Sequence, residues 1–388
     1  MSNATSSDAP ITVFHVRNSN YPGGIETTLY GWFKYADRQR FNPRLQVFHE
    51  RRGIHQRSVA LLEQQGIDCE MLPWDYIRNL PGAVSTLSRR VRESNNPILH
   101  SHDTRSDLVA LIVARKTGAP WVVSNHAWHP ADFKRKVLES IRVRLMHSAD
   151  KIISVSKNTH LETLERGLPE NRCVAMYSGI DLEPYRSAPS REEARRRLGL
   201  EQSSFIIGNM ARLWPEKQQD KLIDVAALVA ERYPKMRFLI IGDGPLEQSL
   251  KDQVRAQGLE KIVFLPGFYD DFVEGLAALD VFALPSSAEG TPMVIYSAMA
   301  MGIPIVASPV SGVGEILKHG ESALLVPTSD TQGLADSVIS IYEDPNLAST
   351  LGENAKSTCQ INYSAESAVR NLESIYTALL WPARPPSA

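Results

Sequence analysis

The residues best able to do chemistry in this chain are a few charged and imidazole side chains placed just after short apolar runs. Arg212 and Lys217 follow the run Phe205–Met210, inside the segment Ala211-Arg-Leu-Trp-Pro-Glu-Lys217. A guanidinium can hold two oxygens of an oxyanion in a fork, with an ammonium beside it as a point charge. Solvated loop charges are the plainer reading of the same pair. Glu289 follows the run Val281–Leu284 and precedes Gly290-Thr-Pro-Met293, with Pro292 suited to the first turn of a helix. Backbone N–H groups at such a turn point toward anions or hydroxyls; otherwise the carboxylate is simply favoured there by the helix dipole. His126 follows the run 121–124, and His102-Asp103 follow the run 97–100. A neutral imidazole there could orient a hydroxyl group, or be a satisfied structural residue. Gly23-Gly24 and Gly242-Asp-Gly244 also follow strand-like runs. Glycine permits close backbone approach to a ligand, or only a turn. The second pair lacks the full dinucleotide fingerprint, so no NAD site is read from it. His102, Asp103, His126 and His129 form a polar rim without metal-ligand spacing, and no metal is expected.

Short apolar runs alternating with amphipathic stretches must position these residues. Strands are expected at 11–16, 44–48, 68–72, 97–100, 121–124 and 151–155, with helices near 26–36, 56–65, 82–93, 105–117 and 133–147. A second series starts with a charged helix over 189–200, with Ser190 a suitable N-cap. Strands follow at Phe205–Met210, Met236–Ile241, 262–265, Val281–Leu284 and Ile305–Ala307, with helices at 219–233, 246–257, 272–278 and Met293–Met301. Repeated strand–helix order predicts an α/β fold of parallel sheets with helices on both faces. Two such halves make two Rossmann-like domains, joined near residues 183–190. Ligands of these sheets bind outside the carboxyl ends of the strands, so a cleft between facing halves is expected. Residues 1–10 read as a disordered lead, 364–381 as a helix, and 382–388 as a loose tail.

Composition narrows the class. Lys and Arg number 42 against 44 Asp and Glu, so no global field draws in nucleic acid. Three scattered cysteines favour a reducing compartment over a disulfide frame. The first ten residues lack the order of a signal peptide, and no apolar run approaches the roughly 18 residues of a membrane span. A cytoplasmic protein, at most peripheral at the inner face of the cell membrane, is expected.

The second half also carries Ile241-Gly-Asp-Gly-Pro245, Glu289-Gly-Thr-Pro-Met-Val-Ile-Tyr-Ser-Ala-Met-Ala300, Gly302-Ile-Pro-Ile-Val-Ala307 and Gly312-Val-Gly-Glu-Ile316. The first half carries Gly23-Gly-Ile-Glu26, His102-Asp103, Asn125-His126, Ser154-Val-Ser156 and Ser178-Gly-Ile-Asp181. Taken in order over about 11–380, these words resemble the retaining family-4 glycosyltransferases of the GT-B fold (glycosyl transferases group 1). The resemblance implies transfer of a hexosyl group from a nucleotide-diphosphate sugar to a glycan or lipid-linked acceptor, in polysaccharide or glycoconjugate assembly. It implies an acceptor-binding domain over 11–185, a nucleotide-sugar domain over 186–363, and a final helix packing back on the first domain. Arg212 and Lys217 would then meet the donor diphosphate, Glu289 the donor sugar, and His126 its reacting face. Gly23, Gly24, Gly242, Gly244, Gly290, Thr291, Pro292, Met293 and Ser297 would line the donor, and His102 and Asp103 the acceptor. The nucleotide sugar is a co-substrate; no cofactor or metal is implied.

Two departures matter. The family places a second Glu eight positions after the first, to hold the ribose, and here stands Ser297. A hydroxyl cannot form a charged clamp on two ribose hydroxyls. Ala211 replaces a usual glycine, a small change. The same words fit two other readings, a sugar-nucleotide 2-epimerase and a non-catalytic nucleotide-sugar-binding protein. Finally, residues 134–144 carry five basic residues and one acidic, with Val137, Leu138, Ile141 and Leu145 as an apolar stripe. This suits either a solvated surface helix or contact with anionic lipid.

Overall fold

Short runs with no polar alternation form strands covered on both faces: all four residues of Ile98–Ser101 and of Val281–Leu284 are buried. The computed structural model describes residues 9–18, 24–49, 55–74, 79–126, 128, 133–289 and 292–381. The chain divides into two compact units, Met1–Gly179 with Ala365–Ala388, and Ile180–Ser364.

The first unit holds β1 (Ile11–Arg17), β2 (Phe41–His49), β3 (Cys69–Pro73), β4 (Ile98–Ser101), β5 (Trp121–Asn125), β6 (Lys151–Ser154) and β7 (Cys173–Ala175). They form one parallel sheet in the order β3-β2-β1-β4-β5-β6-β7. Alternate β1 residues serve opposite cores. Phe14 and Val16 pack with Leu87, Val109 and Trp121, while Ile11 and Val13 pack with Leu29, Trp32 and Leu372. The second unit holds β8 (Phe205–Met210), β9 (Met236–Ile241), β10 (Val263–Gly267), β11 (Val281–Leu284), β12 (Ile305–Ala307) and β13 (Leu324–Leu325). Its parallel sheet runs β10-β9-β8-β11-β12-β13. Strand order reverses beside β1 and β4 in one sheet, and beside β8 and β11 in the other. Those are the points where an open α/β sheet parts at its carboxyl edge.

The boundary lies earlier than the expected 185/186. Ile180 N donates to Tyr363 O at 2.8 Å, Ile180 pairs with Ser364, and the helix Glu183–Arg186 packs on Met293–Met301. These contacts bind residues 180–185 to the second unit. The helix Ala365–Leu380 belongs to the first unit and packs on Gly24–Tyr35, where the Cβ of Ala365 lies only 2.9 Å from the place a Cβ on Gly31 would take. Residues 1–8 and 382–388 lie outside the described part.

The helix Phe133–Met146, for which the sequence left two readings open, turns most of its apolar stripe outward. Val137, Leu138 and Ile141 are 45%, 47% and 46% exposed, whereas Arg142 is buried and only Leu145 of the stripe packs on the core. The guanidinium sets the turn of the helix. Its Nε donates to Asp107 Oδ2 at 2.9 Å, Nη1 to Asn125 Oδ1 at 3.0 Å and Nη2 to Ser124 O at 3.1 Å. Asp107 has no exposed side-chain surface, and burial raises its carboxyl above the ordinary range despite the guanidinium beside it. Arg142→Ala should therefore cost about 3–5 kcal/mol, since it strands a buried charge. Urea unfolding checks this, with Asp107→Asn added to Arg142→Ala expected to recover part of the loss. Equal losses in the single and double variants would show that the charge pair is not the source.

Candidate active site

In the second unit the candidate residues stand on the loops after β8 and β11. Asn209, near the end of β8, donates from Nδ2 to Ala283 O on β11 at 2.8 Å. Gln219 Nε2 donates to Arg212 O at 3.0 Å and reaches Asn209 Oδ1 at 3.4 Å. The loop is also laced to the one after β9: Ala211 N donates to Ile241 O at 3.1 Å, Leu213 N to Asp243 O at 2.8 Å and Leu246 N to Leu213 O at 3.1 Å. This lacing explains Gly242 and Gly244. A Cβ would fall 2.0 Å from Ala211 O at Gly242 and 2.5 Å from Leu213 O at Gly244. Loop-to-loop packing thus accounts for both glycines without a ligand.

The loop ends in a single turn, Pro215–Lys217, and Gln218 reverses the chain in the left-handed region at φ 51°. Ser287 N donates to Glu216 O at 2.8 Å, which joins this turn to the loop after β11. Lys217 Nζ donates to Glu289 Oε1 at 2.6 Å, and Ser286 Oγ donates to the same oxygen at 2.7 Å. The Lys217 and Glu289 side chains are 14% and 6% exposed. Arg212 differs: it is exposed, its guanidinium lies 5.5 Å from the centre of the Trp214 ring, and no ion pair holds it among the described residues. Two cations thus share one loop, one carrying its own carboxylate and one open to an incoming anion.

Pro292 and Met293 begin the helix Met293–Met301, and Gly290 and Thr291 lie outside the described residues. Ser297 is buried. Its Oγ donates to Met293 O at 3.0 Å, so it accepts from the Tyr185 hydroxyl at 2.8 Å. Burial pushes the Tyr185 phenol up to about 12. The Ser297 hydroxyl is therefore occupied within the protein in both roles.

In the first unit, Arg17 ends β1 and Asn18 follows it, His102 and Asp103 follow β4, and His126 follows β5. Gly24 begins the helix Gly24–Tyr35, and Gly23 and His129 lie outside the described residues. Asp103 accepts from Arg105 N and Ser106 N, each at 3.0 Å, and so caps the helix Thr104–Thr117. Its other oxygen accepts from Asn18 N at 2.8 Å and lies 3.5 Å from Arg17, whose Nε donates to Glu26 at 3.2 Å. The histidines form a group in which His15, His100 and His102 are buried and His126 is half-buried. His15 Nδ1 is 3.1 Å from His102 Nε2, and His102 Nδ1 is 3.3 Å from His126 Nε2. His100 meets the Tyr376 hydroxyl at 2.6 Å and Ser124 Oγ at 2.8 Å. Burial lowers the pKa of His15 to about 3 and those of His100, His102 and His126 well below the ordinary range. The His102 ring, expected on the acceptor side, is buried, and both its nitrogens face other histidines. Ring nitrogens of His15, His100 and His102 lie within 4.8 Å of one another, but the hydrogen bonds just described already engage His102 and His100 at both.

The sequence reading missed His15, Arg17, Glu26, Tyr185 and Ser286. His15 left a trace, a polar residue inside the apolar run of β1. Tyr185 left none.

The description "Glycosyl transferases group 1" matches residues 190–358, and "Glycosyltransferase Family 4" matches residues 22–184. The chain is a family-4 glycosyltransferase. This glycosyltransferase is 25% identical over 318 residues to the UDP-Gal:alpha-D-GlcNAc-diphosphoundecaprenol alpha-1,3-galactosyltransferase of Escherichia coli, covering 77% of this chain and 80% of that one. It is 29% identical over 353 residues to the D-inositol 3-phosphate glycosyltransferase of Corynebacterium urealyticum, covering 84% and 81%. The Anabaena protein Alr3699/HepE, solved with UDP-glucose, superposes with a TM-score of 0.84 at 25% identity, over 95% of this chain and 100% of that one. The two parallel sheets and this likeness give the GT-B fold, and the enzyme falls in the hexosyltransferase class.

The neutral histidines make stability depend on pH. An unfolded histidine takes up a proton below about 6.5, whereas folded His15 does so only near 3. The unfolded state then binds more protons, so stability is full above the unfolded value and falls as pH drops. From about pH 7.5 to about pH 5, His15 alone should remove about 2 kcal/mol. Urea midpoints across that range should fall for the native glycosyltransferase and fall less for His15→Phe. Equal slopes in the two would refute the assignment.

Proposed function

We propose that this glycosyltransferase moves a hexosyl group from a nucleoside-diphosphate sugar to a hydroxyl of a glycan or lipid-linked acceptor, with retention at the anomeric carbon. The observation that carries this reading is the loop after β8, which holds Arg212 and Lys217, the latter paired with Glu289, at the point where strand order reverses. Departure of a nucleoside diphosphate concentrates negative charge on its oxygens, and fixed cations stabilise that charge most where it develops. Arg212 offers an open fork to the diphosphate. Lys217 has to be shared between Glu289 and phosphate, and Glu289 then has an oxygen for a sugar hydroxyl. The bond from the anomeric carbon to the phosphate oxygen breaks. The acceptor oxygen bonds to that carbon on the same face, and its proton passes to the leaving phosphate oxygen. This needs no side-chain nucleophile. A uridine diphosphate donor is supported by the E. coli relative's name and by the UDP-glucose complex of HepE. A lipid diphosphate acceptor is supported by the E. coli relative alone.

Arg212→Ala and Lys217→Ala should each lower turnover by roughly 10²-fold, the loss typical of one transition-state donor. Thermal shift with UDP, GDP, ADP and TDP identifies the base, because a ligand of the native state raises its midpoint. NMR of the product reports the anomeric configuration. Full turnover in both variants would sink the diphosphate assignment, an inverted product the retaining one, and epimerised donor without acceptor the transfer itself.

Lipid contact is favoured by one observation, the exposed face of Val137, Leu138 and Ile141 on a helix whose segment also carries Lys134, Arg135 and Lys136. Such a face can enter an anionic membrane surface. No described helix is long and apolar enough to cross a membrane. The native protein should sediment with phosphatidylglycerol-containing vesicles, and a variant with Val137→Ser, Leu138→Ser and Ile141→Ser should stay in solution. Equal sedimentation of the two would exclude this face.

A further inference from the structure

Two donors of different kinds hold Glu289 at a single oxygen. Lys217 Nζ donates to Oε1 at 2.6 Å, and Ser286 Oγ donates to the same atom at 2.7 Å. Oε2 has no hydrogen-bond partner among the described residues and is not sealed from solvent. Ser286 is fully buried, and the bond to Glu289 is the only one its hydroxyl makes among the described residues. A short bond from a hydroxyl to a carboxylate is charge-assisted, and stronger than one between neutral groups.

The two donors are tethered differently. The Ser286 hydroxyl stands one carbon from a backbone pinned on both sides. Before it, Leu284 O accepts from Ser308 N at 3.0 Å; after it, Ser287 N donates to Glu216 O at 2.8 Å. Lys217 Nζ ends a flexible four-carbon stem. A diphosphate arriving on this loop competes with Glu289 for the ammonium, and competes hardest when charge develops on the leaving oxygens. The buried hydroxyl stays where its backbone holds it. Without that hydroxyl, the Glu289 side chain would lose its last donor at the moment Lys217 turns to phosphate.

We infer that Ser286 is a positioning residue whose hydroxyl keeps Glu289 Oε1 in place when Lys217 turns to the diphosphate, so that Oε2 remains the acceptor for a hydroxyl of the donor sugar. The sugar contact rests on the proposed transfer reaction. The hold of Ser286 on Glu289 is a property of the free protein.

The first test needs no substrate: crystal structures of the full chain as Lys217→Ala, and as Lys217→Ala with Ser286→Ala. Glu289 should keep its place in the single variant, where Ser286 is the remaining donor, and leave it in the double one. A carboxylate that moves in the single variant, or stays in both, overturns the inference. The second test is UDP release from UDP-glucose. In Ser286→Ala, kcat should fall about tenfold with KM changed less than about twofold, as for an oriented hydrogen bond that counts most in the transition state. Ser286→Thr, which keeps the hydroxyl, should restore most of kcat. In a Glu289→Ala background, adding Ser286→Ala should change kcat by less than about twofold, because residues that act through one another are not additive. A further tenfold loss there would show a merely structural serine and overturn the inference. Should Ser286→Ala not fold, the Lys217→Ala structure and the turnover of Ser286→Thr still decide. Absence of any transfer, with Glu289 held as expected, would refute the reaction and leave the hold of Ser286 standing.

Discussion

Every strand pair in both sheets is parallel, and parallel pairing sends every strand end in a sheet to one edge. That constraint gathers residues far apart in sequence. In the second unit it brings the loops after β8, β9 and β11 together, where backbone hydrogen bonds lace the first two and the Lys217–Glu289 pair links the first to the third. In the first unit it brings Arg17, Asp103 and His126 from three strands to the same edge. The loops are thereby held by main-chain bonds as well as by side chains, which is how surface loops can keep a fixed geometry without a deep core of their own.

The two units handle polarity in different ways. The second pairs its inward-facing cations with carboxylates, Lys217 with Glu289 and the buried Arg195 with Asp280. The first buries imidazoles and satisfies them with each other, with Tyr376 and with Ser124. Burial is affordable there because a neutral ring loses little on leaving water when its nitrogens are bonded, whereas a charged one loses far more. The buried ion pair of this unit formed by Arg142 and Asp107 is held by two further acceptors, Asn125 and Ser124.

Much of this was legible in the sequence where the signal is local. The strands Phe205–Met210, Met236–Ile241, Val281–Leu284 and Ile305–Ala307 coincide with their apolar runs, because strands covered on both faces cannot alternate. Ser190 caps its helix as read, accepting from Glu193 N. Reading failed where a partner lies far along the chain. The helix Phe133–Met146 has an apolar stripe, yet a buried carboxylate on another helix turns Arg142 inward and the stripe outward. His15 meets His102 across 87 positions, and Tyr185 meets Ser297 across 112; no window of periodicity spans such distances. Gly242 and Gly244 were visible as glycines, but the carbonyl oxygens that require them belong to another loop. Helices at Lys157–Glu165, Thr331–Glu343 and Pro345–Asn362 were not read at all, although Leu334, Ala335, Val338 and Ile341 stand at helical spacing in the second of them.

The helix Ala365–Leu380 completes the first unit although nearly two hundred residues of the second precede it. It supplies Val369, Leu372 and Tyr376 to the same core as β1 and β2, and the Tyr376 hydroxyl to His100. During synthesis, the half of the molecule made first is thus the half finished last. Until the ribosome has released this final helix, one face of the amino-terminal sheet lacks part of its cover and His100 lacks a partner. The intervening unit, by contrast, has its whole sequence in hand beforehand and can settle on its own.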